Sequence, residues 1–129
     1  MSPEVAAFFE KARQQLADAQ VMLKVDLLEA AGRAAYLAGF HAAQALIFEH
    51  DGKVLKTHRG VHNEFTRLTR DDPIMSGALG GFLSKAYNLK AIADYETGPE
   101  SKITEDRART AIEAATQFVD HIEAHISIR

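Results

Sequence analysis

The chain has 129 residues, of which 47% are hydrophobic and 26% charged, and it contains no cysteine. This length suits one domain, residues 1–129, with a single hydrophobic core, and the lack of cysteine excludes disulfide frameworks, thiolate zinc sites and cysteine nucleophiles. The formal net charge of −3 argues against indiscriminate binding of polyanions, because sequence-independent affinity for nucleic acid comes mainly from neutralised phosphates.

The N-terminal segment predicts a helix rather than a targeting signal. Charged residues appear within the first ten positions, so the cationic start and apolar core of a signal peptide are missing. No apolar stretch approaches the roughly 20 residues that span a membrane, and we expect a cytoplasmic protein with no membrane association. Ser2 followed by Pro3 begins the first helix, since proline is tolerated at the first helical position. Its apolar face extends to about residue 24: Val5, Phe9, Ala12, Leu16, Ala19 and Leu23.

The second predicted helix is rich in small residues. Asp26 with Glu29 three positions later resembles a capping box, and Gly52 is suited to a left-handed C-terminal cap. Small side chains let helix backbones approach closely, so we expect this to be the central helix. The small residues are Ala30, Ala31, Gly32, Ala34, Ala35, Ala38, Gly39, Ala42 and Ala43.

Two more helices are expected before the last one. Thr57 can cap a third helix, and Asp72 with Pro73 begins a fourth. Gly80 and Gly81 would kink or interrupt the fourth, because glycine is a poor helix former. Residues expected to face the core are Val61, Phe65 and Leu68, then Ile74, Leu79, Phe82, Leu83, Ala86, Leu89 and Ala93.

The last helix begins at Thr104 or a neighbour. Its inward positions are Ala108, Ala111, Ile112, Ala115, Phe118, Val119, Ile122 and Ile126. Apolar residues recur at helical spacing nearly everywhere, and short connections between long helices favour antiparallel neighbours. The sequence therefore predicts an all-α fold, an up-down antiparallel bundle of about five helices.

The histidines do not form a recognisable metal motif. His58 and His62 are four residues apart, as are His121 and His125, so each pair shares a helix face. Neither pair has an obvious third ligand, and no glutamate is followed three positions later by histidine as in bundle di-iron sites. Near a helix C-terminus, the second pair is better explained by the negative end of the helix dipole. We predict no metal site.

Other cofactor and nucleophile motifs are also missing. The glycines of GALGGF are not followed by Lys-Ser/Thr and have no preceding strand, so phosphate-loop and dinucleotide fingerprints fail. No serine lies in a Gly-x-Ser-x-Gly elbow. We expect no cofactor.

A set of polar residues lies on helices that otherwise form the core. The candidate ligand-binding residues are Arg33, His41, His58, Arg59, Lys90, Asp94 and Tyr95. Catalytic candidates within or beside this set are His58, His62, Lys90 and Asp94. Structural explanations stay open: Arg33 and Asp94 could form a partly buried ion pair between helices, and the tyrosines could lie at the core edge with hydroxyls on polar partners.

Three segments resemble the HEPN domain in their order and spacing. They are GRAAYLAGFHAAQALIFEHDGKVLKTHRGVHNEF, AYNLKAIADYE and ITEDRARTAIEAATQFVDHIEAHI, and the likeness extends from about residue 16 to 126. The most specific pieces are Arg33-Ala34-Ala35-Tyr36 with Phe40-His41-Ala42, Lys56-Thr57-His58-Arg59-Gly60, and Ala93-Asp94-Tyr95. Within the family, the chain is most similar to the small free-standing prokaryotic branch.

The resemblance implies an up-down bundle that commonly dimerises and pairs with a minimal nucleotidyltransferase in a toxin–antitoxin module. It also implies metal-independent ribonuclease activity in active members, whose signature is an arginine followed after four to six residues by a histidine. Histidine suits proton transfer from the ribose 2′-hydroxyl, and arginine suits the charge on the scissile phosphate.

This chain departs from that signature. From Arg33 the next histidine, His41, comes one position too late, and from Arg59, His62 comes too early. Where the signature would fall, the sequence reads KAIADY, in which lysine lacks the bidentate fork of arginine and aspartate is a poor general acid at neutral pH. The stretch KAIADYETGPE therefore resembles a remodelled version of the family's polar site.

Three functional hypotheses follow. The preferred one is a non-catalytic or weakly catalytic homodimer that pairs with a minimal nucleotidyltransferase and binds nucleotide or RNA. The alternative is a divergent metal-independent ribonuclease toxin, in which folding brings an imidazole of His58 or His62 to a cation of Arg33 or Lys90. The third is a structural dimeriser whose polar residues form ion pairs. The sequence leaves open whether the protein is an enzyme.

Overall fold

The computed structural model describes residues 1–77, 79–95, 97–98 and 102–127. Residues 96, 99 and 100 of the KAIADYETGPE stretch lie outside the described residues. Within the described part the chain forms helices and no strand, which confirms the predicted all-α class. None of the described helices is long and apolar enough to cross a lipid bilayer. The helices are α1 (Pro3–Lys24), α2 (Leu28–Asp51), α3 (His58–Thr69), α4 (Pro73–Ser76), α5 (Phe82–Tyr95) and α6 (Glu105–Ser127).

Side-chain caps begin four of these helices where the sequence predicts them. Ser2, Thr57, Asp72 and Thr104 each accept a hydrogen bond from the backbone N–H three residues further on, at 3.0–3.1 Å. Each bond satisfies a donor that the first helical turn leaves unpaired. At the other end of α2, Gly52 adopts φ 69°, the predicted left-handed cap.

The predicted capping box at Asp26 and Glu29 is wrong. Asp26 adopts φ 61° and ends α1 instead of beginning α2, whose N-cap is Leu27 without a side-chain hydrogen bond. The Asp26 N–H bonds to the Leu23 carbonyl at 3.2 Å, and the Leu27 N–H bonds to the Met22 carbonyl at 2.9 Å. This is a Schellman motif, which aspartate tolerates better than most residues. The short link between two antiparallel helices needs this reversal of direction, and it outweighs the local capping pattern.

The expected fourth helix is interrupted in its glycine-rich part. Gly81 adopts φ 86°, and α5 begins immediately after it, so the described residues contain six helices instead of about five. The interruption reorients α4, so that Met75 is 2% exposed while Ile74 is 48% exposed. The expectation that Ile74 faces the core is therefore wrong. Most other predicted core positions are buried, and five are only half-buried: Leu23, Leu68, Leu79, Ala93 and Ala111.

The small residues of α2 make it the central helix, as predicted. It packs against α1, α3, α5 and α6. A methyl group on Gly39 would overlap the Phe82 ring, and one on Gly32 would lie 2.9 Å from Leu89 Cδ2. These two contacts show that α2 and α5 run antiparallel at close range, which brings the C-terminal half of α5 beside the N-terminal half of α2.

Candidate functional site

Tyr36 lies at the centre of a group of polar residues contributed by α2, α3 and α5. Its side chain is completely buried, and its hydroxyl oxygen lies 2.7 Å from His58 Nδ1 and 2.9 Å from His62 Nε2. Both imidazoles reach one oxygen because the Thr57 cap begins α3 at His58, and residues four apart share a helix face. We call the following six residues the polar cluster: Arg33, Tyr36, His58, His62, Lys90 and Asp94.

Aromatic rings enclose the shared hydroxyl. The Tyr87 ring centroid lies 5.4 Å from that of Tyr36, 5.0 Å from that of His58 and 5.6 Å from that of His62. The centroid of the Phe40 ring lies 5.2 Å from that of the His58 ring. Burial raises the pKa of Tyr36, and Tyr87 raises it further. The phenol therefore keeps its proton at neutral pH and can donate a hydrogen bond.

Both imidazoles of the polar cluster are mainly in the neutral form at pH 7. Burial lowers the pKa of His58, and the positive charges of Lys90 and Arg33 lower it further, against a smaller opposite effect of Asp94. Burial and His58 lower the pKa of His62 in the same way. The ordinary value of 6.5 is already below neutrality. A neutral imidazole has one N–H and one bare nitrogen, so each ring offers both a proton donor and a proton acceptor.

The cations of the polar cluster share one carboxylate. Lys90 is only 6% exposed, and its Nζ lies 2.7 Å from Asp94 Oδ2, while Arg33 Nε lies 3.4 Å from Asp94 Oδ1. The hydrogen bond to Asp94 raises the pKa of Lys90, and the same bond lowers the pKa of Asp94. The Tyr87 and Tyr95 rings lie 5.8 and 5.4 Å from Lys90 Nζ, within cation–π range. The structure thus contains the interhelical ion pair of Arg33 and Asp94, and two cations against one anion leave the group one net positive charge.

Three candidates from the sequence lie outside the polar cluster. His41 Nδ1 pairs with Gln44 Oε1 at 2.8 Å, and the Gln44 amide donates to the Leu55 carbonyl at 2.8 Å. His41 therefore orders the segment after α2. Arg59 is exposed on α3, and Tyr95 is 74% exposed, with its ring 5.4 Å from Lys90 Nζ.

Sequence reasoning missed the linking role of Tyr36. It treated this tyrosine as a core-edge residue with a polar partner, but the hydroxyl has two partners and both are candidate catalytic histidines. A signal was present: Tyr36 follows Arg33 by three residues, so the two lie one turn apart on a helix of mostly small residues. A tyrosine within a run of alanines and glycines indicates a buried ring whose hydroxyl has a hydrogen-bonding partner.

One side of the cluster opens into a cavity. His62 lines a space of about 270 Å³ together with Arg70, Thr66 and Ser84. Among the described ranges, no group of three or more histidine, aspartate and glutamate side chains is placed to hold a metal ion. A ligand entering the cavity would meet an imidazole, a guanidinium and the hydroxyl groups of threonine and serine side chains.

Comparison with known proteins identifies the family. The family model described as HEPN domain matches residues 5–125. A protein of Methanocaldococcus jannaschii named "Putative toxin MJ0605" is 33% identical over 120 residues, which cover 93% of this chain and 87% of that protein. A "UPF0332 protein" of Archaeoglobus fulgidus is 30% identical over 116 residues, 90% of each chain. The chain belongs to the HEPN-domain family.

Proposed function

We propose that this HEPN-domain protein is the toxin-like component of a two-component module, and that its polar cluster binds and cleaves RNA. Similarity to the Methanocaldococcus jannaschii protein, whose name describes a toxin, supports the first part. The observation that carries the second is the hydrogen bonding of His58 and His62 to one Tyr36 hydroxyl, beside the charges of Arg33 and Lys90. Folding thus brings together the imidazole and cation that the family signature places close in sequence.

Arg33 is the better candidate than Lys90 for contacting the RNA phosphate. Its side chain is 50% exposed, and its 3.4 Å ion pair with Asp94 is long enough to be exchanged for a phosphate. Its guanidinium can also form two parallel hydrogen bonds to phosphate oxygens. The Lys90 side chain is 8% exposed and lies 2.7 Å from the same carboxylate. We therefore assign Lys90 to holding Asp94 in place.

The proposed reaction is a transesterification that requires only proton transfer and charge stabilisation. The bare nitrogen of one histidine takes the proton of the ribose 2′-hydroxyl, and the 2′-oxygen forms a bond to phosphorus. The bond from phosphorus to the 5′-oxygen breaks, and that oxygen receives a proton from the N–H of the other histidine. The products are a 2′,3′-cyclic phosphate and a 5′-hydroxyl, while Arg33 stabilises the charge on the phosphate oxygens.

Two exposed arginines, Arg33 in the polar cluster and Arg59 outside it, provide a test variant and a matched control. Purified protein is incubated with end-labelled RNA in the presence of a chelator, and the cleavage rate and product ends are measured. We expect Arg33→Ala, His58→Ala and His62→Ala each to slow cleavage by about 100-fold or more, which is the usual contribution of such groups. Arg59→Ala removes an exposed cation outside the cluster and is expected to retain the wild-type rate. Intact RNA with the wild-type protein, or equal losses for the two arginine variants, would contradict the proposal.

A non-catalytic partner-binding module is the second candidate. It is favoured by Asp94, which already engages both cations of the cluster and so opposes phosphate binding. In this version the chain forms a homodimer and pairs with a minimal nucleotidyltransferase. The test is affinity purification of the tagged protein from its host, with identification of bound protein and RNA. Recovery of a stoichiometric nucleotidyltransferase without RNA would favour this candidate.

A further inference from the structure

The Tyr36 hydroxyl faces two imidazole nitrogens but carries a single proton. With His58 Nδ1 at 2.7 Å and His62 Nε2 at 2.9 Å, it donates to one nitrogen and accepts an N–H from the other. It meets Nδ1 of one ring and Nε2 of the other. The two histidines must therefore adopt the same tautomer, both Nε2–H or both Nδ1–H.

The shared tautomer makes the two outer nitrogens complementary. When both rings are Nε2–H, His58 Nε2 carries a proton and His62 Nδ1 is bare. When both rings are Nδ1–H, the assignment is reversed. Moving two protons along the two hydrogen bonds of Tyr36 converts one arrangement into the other without creating a charge.

We propose that His58, Tyr36 and His62 form a proton relay, in which a proton taken up at the outer nitrogen of one histidine releases a proton from the outer nitrogen of the other. This inference deepens the proposed ribonuclease function and rests on it for the identity of the reaction. In this relay Tyr36 does more than pack in the core or hold the histidines in place. Its hydroxyl transfers a proton from one histidine to the other.

The relay accounts for every proton that moves in the proposed cleavage step. In the Nε2–H arrangement, His62 Nδ1 takes the 2′-hydroxyl proton, and His62 Nε2 gives its own proton to the Tyr36 oxygen. The Tyr36 proton passes to His58 Nδ1, and His58 Nε2 delivers its proton to the leaving 5′-oxygen. Both rings end neutral in the Nδ1–H form, and no proton is gained or lost by the protein.

Burial explains why such a relay is needed. Both rings are half-buried, and partial burial disfavours the charged imidazolium, so one protonated histidine beside a neutral one is the minor form of this site at pH 7. A neutral imidazole that gave up its only N–H proton would become an anion, which burial also disfavours. The Tyr36 hydroxyl replaces that proton as it leaves, so each histidine remains neutral throughout.

Nitrogen NMR tests the relay without requiring any activity. The ring 15N shifts of His58 and His62 distinguish N–H from bare nitrogen, and we expect the same tautomer in both rings at pH 7. Tyr36→Phe should make the two tautomer populations independent. Tyr87→Phe should leave them matched, because the described residues show no hydrogen bond to the Tyr87 hydroxyl. Different tautomers in the two wild-type rings, or a doubly protonated ring at pH 7, would overturn the relay.

Kinetics separates the relay from the ribonuclease proposal. We expect Tyr36→Phe to lower kcat for RNA cleavage by about 100-fold, as for loss of a general acid–base group, with little change in KM. An unchanged kcat would overturn the relay even if wild-type cleavage were confirmed. Matched tautomers in a wild-type protein that cleaves no RNA would support the proton path while refuting the proposed function.

Discussion

Two pairs of histidines in this protein have the same spacing but very different surroundings. His58 and His62 both bond to the buried hydroxyl of Tyr36. His121 and His125, also four residues apart, line a surface groove of about 690 Å³. Spacing determines only that two side chains share a helix face. The groups that the fold places opposite that face decide the chemistry.

The carboxylate of Asp72, which faces His121, already caps helix α4. His121 Nε2 lies 3.8 Å from Asp72 Oδ2, the carboxylate that caps α4. The backbone N–H of Met75 is the main cause of the lowered pKa of Asp72. Asp72 is therefore fixed by its own helix, whereas within the described ranges the Tyr36 hydroxyl bonds to no group other than the two histidines. The first pair forms a connected site, and the second lies beside a structural cap.

The largest expected effect on stability comes from removing the Tyr36 ring, which contacts the first pair of histidines and has no counterpart beside the second within the described part of the chain. Tyr36 is completely buried, so Tyr36→Ala should lower the free energy of unfolding by about 3–5 kcal/mol, the usual cost of truncating a buried aromatic residue. His121→Ala in the surface groove should change it by less than about 0.5 kcal/mol. Chemical denaturation of both variants measures the difference. Similar values would show that the two pairs are energetically equivalent.

A smaller difference is expected between the carboxylates beside the two pairs. Asp94 and Asp72 side chains are both 23% exposed. Asp94→Asn leaves the Lys90 ammonium buried with a weaker partner and should cost about 1.5–3 kcal/mol, the range for a hydrogen bond to a charged group. Asp72→Ala removes a helix cap and should cost about 1 kcal/mol. Chemical denaturation measures both losses, and a larger loss of stability for Asp72→Ala than for Asp94→Asn would contradict this order.

The smallest effect is a pH dependence that the half-buried pair, His58 and His62, imposes on the free energy of unfolding. The pKa values of His58 and His62 are lowered in the folded protein, whereas the unfolded chain keeps values near 6.5. Between the folded and unfolded values the unfolded chain binds more protons. The free energy of unfolding should therefore decrease as pH falls below about 6.5, by up to about 1.4 kcal/mol for each unit of pKa lowering. Denaturation of His58→Gln/His62→Gln at several pH values should show a smaller slope, and an unchanged slope would contradict the assignment.

Interactions between near neighbours could be predicted from the sequence. The caps at Ser2, Thr57, Asp72 and Thr104 involve atoms three residues apart, and their residue types favour that hydrogen bond in most contexts. Asp26 is the exception. Its local pattern suits the start of a helix, but the turn that joins α1 to α2 requires a left-handed residue at this position. A constraint from two packed helices outweighed a preference worth about 1 kcal/mol.

By itself the sequence determined the helical class, most helix ends, the central helix with its many small residues, and the residue types available for chemistry. These depend on periodicity and on contacts within one turn, which a linear pattern records. Only the tertiary structure decided that Tyr36 joins His58 and His62, which are 22 and 26 residues away, and that Lys90 is buried against Asp94. Such groupings depend on how close α2, α3 and α5 approach. That distance is set by glycine contacts and core packing across the bundle, not by the spacing of the polar residues.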